Sequence, residues 1–162
     1  MNKNTRILVI LSCLMLLPFF SYAQNESTQD LEAYFSAIIV SDLDSSINWY
    51  STSLGFEVVN KVESTERGFK QSNLKRGSTL LELIELDRAV SLKDTVSNYS
   101  DKMRFIGFFK IGFLVSDFDK WIDRLTGNNV DFYGNVVTDN SSGKRMVIIT
   151  DPDYNRIQIF EK

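Results

Sequence analysis

Histidine is absent from all 162 residues, and cysteine occurs once, as Cys13. Without an imidazole, neither a histidine-carboxylate metal site nor a Ser-His-Asp or Cys-His nucleophile system can be assembled. The lone thiol lies inside an apolar N-terminal run that reads as a removable targeting segment. What remains has no cysteine, which excludes disulfides, thiolate metal ligands and cysteine nucleophiles. A surplus of positive charge is missing too: 18 Lys and Arg stand against 21 Asp and Glu, for a net charge of −3. That balance does not favour nucleic acid or an anionic membrane as a partner. The longest largely apolar run, residues 7–20, falls short of the ~20 residues that span a bilayer as a helix.

That run has the anatomy of an address. Lys3 and Arg6 precede it, Pro18 sits near its end, and Ser21-Tyr22-Ala23 offers small residues at the two positions a signal peptidase reads, before Gln24. The expectation is a signal peptide over residues 1–23, cleaved after Ala23, and an exported periplasmic or extracellular protein with no stable membrane insertion afterwards. An uncleaved anchor and a lipoprotein acylated at Cys13 are the alternatives. Residues 24–33 are polar at first and read as a flexible lead-in; residues 34–162 suffice for one domain with a sizeable core.

Within that domain a block of sequence occurs twice. V-S-D-L-D-S-S-I at 40–47 returns as V-S-D-F-D-K-W-I at 115–122, an offset of 75, and L-E-L-I-E at 81–85 is echoed by I-Q-I-F-E at 157–161, an offset of 76. Both copies give the same order of elements. In the first, residues 34–40 read as a strand. Asp42 caps a helix bearing Leu43, Ile47, Tyr50 and Leu54 at helical spacing, and Gly55 stops it. Strands at 56–63, 69–74 and 79–86 follow, separated by turn-forming residues. In the second, the counterparts are a strand at 108–115, a helix capped by Asp117, and strands at 130–133, with a continuation to 137 left open, 145–150 and 156–160. The predicted class is α+β: two paired βαβββ modules, about 34–86 and 107–162, forming a curved, partly closed sheet around a cleft. The linker 87–106 is either a solvated connection or a loop beside the cleft.

Three motifs in order, V-S-D-L-D-S-S-I-N-W-Y, L-G-F after the helix, and D-P-D-Y-N before the last strand, resemble the vicinal oxygen chelate superfamily. Glyoxalase I, extradiol dioxygenases, methylmalonyl-CoA epimerase, fosfomycin-modifying enzymes and bleomycin-resistance proteins belong to it. The resemblance covers about residues 34–162 and implies a concave sheet face that holds the ligand. In enzymes of the family a divalent metal there chelates two substrate oxygens. The resemblance puts the family's four ligand positions at Phe35, Glu82, Lys110 and Gln158, of which only Glu82 keeps a ligand type. One carboxylate, one amide and an ammonium suit neither a transition metal nor a hard cation. No cofactor, and no divalent metal, is therefore expected.

A charge hypothesis follows from strand alternation. Lys110 shares a predicted strand face with Gly112 and Leu114, and Glu82 with Leu80 and Ile84. A charge among apolar neighbours is tolerated in a buried place when paired, so Lys110 is expected to occupy the place of the metal, held by Glu82 and the Gln158 amide. Phe35 would bring a ring to the pocket wall or join the core. Ala37 and Gly112, equivalent under the repeat, would leave room above the sheet or admit a neighbouring element. The candidate cleft is thus Phe35, Ala37, Glu82, Lys110, Gly112 and Gln158, with Glu82 and Lys110 as the only acid-base candidates. Asp42 and Asp117 are explained by capping, Asp151 and Asp153 by the turn, and Trp49, Tyr50 and Trp121 by core packing or a subunit contact.

The leading reading is an exported protein that binds a small organic molecule in its cleft without metal catalysis. One alternative is a glyoxalase- or dioxygenase-like lyase, isomerase or oxygenase with an atypical site. Another is a structural or interaction module with a vestigial cleft. The family resemblance also allows a homodimer.

Overall fold

Asp42 and Gly55 bracket the first helix for reasons visible in the backbone. In the computed structural model, which describes residues 33–100 and 103–162, the Asp42 carboxylate accepts from the Ser45 N–H. Gly55 adopts φ 71° and sends its own N–H back to the last turn of helix α1, Leu43–Leu54. The left-handed cap suits a residue without Cβ. It also suits the crowding there, since a Cβ on Gly55 would lie 2.5 Å from Nη1 of Arg76. Asp117 repeats the N-cap, accepting from the Lys120 N–H at the start of α3, Phe118–Gly127. The expected signal peptide, residues 1–23, and nearly all of the expected lead-in, residues 24–33, lie outside the described residues.

Each module builds one mixed sheet. In the first, β1 (Phe35–Val40), β2 (Glu57–Ser64), β3 (Phe69–Arg76) and β4 (Thr79–Leu86) are ordered β1-β4-β3-β2. β1 runs parallel to β4 with Phe35 opposite Leu80, while the hairpins β2-β3 and β3-β4 are antiparallel. In the second, β5 (Ile111–Val115), β6 (Asp131–Phe132), β7 (Val137–Thr138), β8 (Arg145–Thr150) and β9 (Arg156–Glu161) give the order β5-β9-β8-β6, with β7 also on β8. The two sheets do not close into one barrel, and residues 34–162 form one unit.

The second module departs from the predicted strands at two places. The strand expected from 130 onward is two short pieces, because Gly134 at φ 93° turns the chain between β6 and β7. β5 begins at Ile111 rather than at Phe108. Its first partnered register is Ile111 with Ile157, so the next register outward would set Lys110 against Arg156. Like charges side by side disfavour continued pairing, and the Tyr154 backbone at φ 65° has already turned the partner strand.

One contiguous core joins the modules. Leu43, Tyr50 and Leu54 of α1, Leu81 and Leu83 of β4, and Leu125, Val147, Ile149, Ile157 and Ile159 of the second module belong to it. The inter-module hydrogen bonds are specific. The Tyr50 hydroxyl donates to Asp151 Oδ2 at 2.9 Å, and the Ser41 N–H donates to Asp153 Oδ2 at 3.0 Å. Arg124 gives Nε to the Ser53 carbonyl and Nη2 to the Thr52 carbonyl, both at 2.8 Å, capping the C-terminus of α1. Arg76 of the β3-β4 turn reaches α3, its guanidinium 4.6 Å from the Trp121 ring centroid. Each module's final hairpin thereby reaches the other module's helix, as a pseudo-twofold arrangement requires.

Candidate functional site

The alternation of β1 divides its side chains between two surroundings. Val40 is buried, while Phe35 and Ile39 remain exposed. Phe35, Ala37 and Lys110 meet at one cavity of about 450 Å³ beside the N-terminal ends of β1 and β5. The β8-β9 turn contributes Tyr154, Asn155 and Arg156, and the stretch 103–109 contributes Met103, Arg104, Phe105, Phe108 and Phe109. Leu92 and Tyr99 of the inter-module linker complete this part of the wall. The linker, which carries a short helix α2, Leu92–Thr95, is therefore a cavity wall on one side. Tyr99 and Phe105 stack with centroids 6.3 Å apart and planes 4° from parallel. Lys93 Nζ lies 3.3 Å from the Tyr154 ring centroid.

The basic side chains of this cavity are organised by rings. The Arg156 guanidinium lies 4.4 Å from the centroid of Tyr133 and 4.9 Å from that of Phe109. The Tyr133 hydroxyl accepts from Arg104 Nη2 at 3.0 Å. Lys110 Nζ is exposed and 6.0 Å from the Phe109 centroid. Stacking on ring faces occupies the plane of a guanidinium and leaves its in-plane N–H groups available. Among the described residues, no carboxylate forms an ion pair with Lys110 or Arg156.

The expected Lys110-Glu82-Gln158 group is not assembled. Glu82 accepts from the Gln71 side-chain amide of the adjoining strand, and Gln158 donates to the Met146 sulfur. Neither residue lines the cavity that holds Lys110. The physical reason is where β5 ends: Lys110 stands outside the ladder, so strand alternation does not govern its direction. Glu82 faces Asn73, two residues along β3 from Gln71 and on the same face, and takes its hydrogen bond from a half-buried neighbour. The repeat also fails to bring Ala37 and Gly112 together. Gly112 lines a different cavity with Leu54, Phe56, Arg76 and Trp121.

The donor chemistry does not fit the divalent metal that the resemblance implies. Phe35 and Lys110 cannot ligate such an ion in their ordinary states, and the Glu82 carboxylate and Gln158 amide are engaged within their own sheets. Among the described residues, no group of three or more His, Cys, Asp or Glu side chains could hold a metal ion.

Asp151 and Asp153 do more than shape a turn. Asp151 is buried and accepts from the backbone N–H groups of Asp153 and Asn155, the Asn155 side-chain amide, and Tyr50. Burial pushes its carboxyl above the usual carboxylate range despite those bonds, and burial, with Asp151 alongside, raises the Tyr50 phenol. This anchor fixes the turn carrying Tyr154, Asn155 and Arg156. The basic and aromatic run R-F-I-G-F-F-K at 104–110 was the available sequence signal for the cavity wall. Its hydrophobicity instead suggested an early start to the strand.

A family model described as the Glyoxalase/Bleomycin resistance protein/Dioxygenase superfamily matches residues 33–159. The chain is 28% identical over 127 residues to the uncharacterized protein YwkD of Bacillus subtilis (strain 168), covering 78% of this chain and 93% of that protein. A glyoxalase family protein from Enterococcus faecalis superposes with a TM-score of 0.69 at 25% identity, covering 80% of this chain and 97% of the other. The protein SMU.1112c superposes with a TM-score of 0.67 at 28% identity, covering 82% of this chain and all of the other, 100%.

Proposed function

Because the chain belongs to the glyoxalase/bleomycin resistance protein/dioxygenase superfamily, we propose that it binds a small organic molecule in the cavity beside β1 and β5 without a resident catalytic metal. One observation carries this reading: two of the four positions at which the resemblance puts metal ligands, Phe35 and Lys110, line a ring-walled space of about 450 Å³. That volume suits a small ligand, and ring surface beside charged and polar groups able to fix its orientation is what such sites combine. Membership of the fold does not supply the chemistry, since one fold carries many reactions. The reading includes export, supported by the apolar run 7–20 and the Ser-Tyr-Ala sequence before Gln24.

The test has two arms on the purified protein. Elemental analysis should find no stoichiometric transition metal, and a chelator should leave the melting temperature unchanged. Stoichiometric zinc, nickel, iron or manganese would overturn the metal-free half of the reading. A thermal-shift screen of small aromatic molecules and diacids should give stabilising ligands by mass action. Absence of any ligand shift across charged and neutral members would overturn the binding half.

A further inference from the structure

Among the described residues, the charged groups that line the cavity beside β1 and β5 are opposite in sign to the net charge of the chain. Acids outnumber bases 21 to 18 in the chain, yet Lys110 and Arg156 line this space beside Arg104, and among the described residues no Asp or Glu does. Lys110 and Arg156 immediately precede the paired residues Ile111 and Ile157 of adjacent parallel strands, and both cations lie near the Phe109 ring in this cavity. Two neighbouring cations repel, and no described carboxylate pairs with either one. Arg156 is half-buried, it lies over the rings of Phe109 and Tyr133, and its N–H groups donate to no described residue.

From this geometry we infer that the cavity selects a flat aromatic anion, its carboxylate-like group received by Lys110 and Arg156 and its ring placed against the aromatic wall. The inference rests on the proposed ligand-binding function and adds the ligand's chemical class. An anion between the two cations replaces their repulsion with charge-assisted hydrogen bonds, and the forked N–H donors of a guanidinium match a carboxylate. Phe35, Tyr99, Phe105 and Phe109 supply ring surface in the same space, where offset or edge-on contact favours a planar partner over a puckered one. Tyr133 is the positioning residue, since its ring lies under Arg156 and its hydroxyl accepts from Arg104.

Isothermal titration with three probes, 2-naphthoate, 2-naphthamide and cyclohexanecarboxylate, tests both halves. The naphthoate should bind at least about tenfold more tightly than either of the others at low ionic strength, with its advantage over the amide shrinking as salt is added. Lys110→Met, at an exposed side chain, and Arg156→Met should each weaken naphthoate about tenfold, and by more than they weaken naphthamide. Equal affinity for naphthoate and naphthamide would overturn the anion inference and leave small-molecule binding standing. Equal affinity for naphthoate and cyclohexanecarboxylate would overturn the aromatic half. If none of the probes binds, the inference fails; the broader ligand screen then decides whether the binding function fails with it. Because Arg156→Met also removes ring contacts, the Lys110→Met result and the salt dependence of the unmodified protein decide the case if that variant does not fold.

Discussion

Replacing Tyr50 by Phe isolates one bond between the two modules. The ring is fully buried and stays in place in the variant, packed edge-on against Trp49 at 4.9 Å and Phe56 at 6.1 Å. What disappears is the hydroxyl that donates to Asp151 Oδ2 at 2.9 Å, inside a site where Asp151 is only 4% exposed. A hydrogen bond to a charged acceptor contributes about 1.5–3 kcal/mol, so a loss of about 2 kcal/mol is expected near neutral pH. For a domain of this size that is a fall of roughly 5–10 °C in melting temperature. The pH dependence has a definite sign. The Asp151 carboxyl is raised above its unfolded value of 3.8, so the folded state takes up its proton first. Its contribution is fully present below the unfolded value and declines as pH rises through the folded one. The tyrosine hydroxyl offsets this decline by stabilising the ionised form. The penalty of Tyr50→Phe should therefore be larger at neutral pH than near pH 3.8, once the acid response of the parent is subtracted. Urea unfolding followed by tryptophan fluorescence at both pH values measures it. A neutral-pH loss below about 0.5 kcal/mol would refute the reasoning, because that is the scatter of surface substitutions with no specific contact.

Two further perturbations examine the frame. Gly55→Ala should cost about 1–2 kcal/mol in the same assay, since the residue sits at φ 71° and its new Cβ would meet Arg76; an unchanged midpoint would show that the cap relaxes freely. Arg145 holds the Glu161 carboxyl down at about 2, against an ordinary 4.5, through a 2.8 Å bond from Nη2. A depressed carboxyl contributes stability above its unfolded value and loses it as pH falls through the folded one. Stability should therefore decline as pH falls from about 4.5 to about 2, and Glu161→Gln should flatten that segment of the curve. An identical acid slope in the variant would exclude the pair as its source.

The sequence determined most of the frame because the forces behind it are local. Asp42, Gly55 and Asp117 mark helix ends through bonds to backbone groups a few residues away. Apolar alternation in β4 and β9 fixes which residues enter the core, and the repeat of 75 residues reveals that the arrangement is made twice. The same evidence determined that histidine and, after residue 13, cysteine take no part. The site's membership was decided by tertiary structure, because it depends on where β5 stops. One residue of strand separates the Lys110 expected from strand alternation from the observed Lys110, outside the ladder in the cavity that Arg156 and the rings of 104–109 also line. That boundary is set by a neighbour 46 positions away in the chain, through charge repulsion and a turned backbone at Tyr154. Pairing across such a separation has no local signature, so residue pattern named Phe35, Ala37 and Lys110, and only the assembled sheets showed their company.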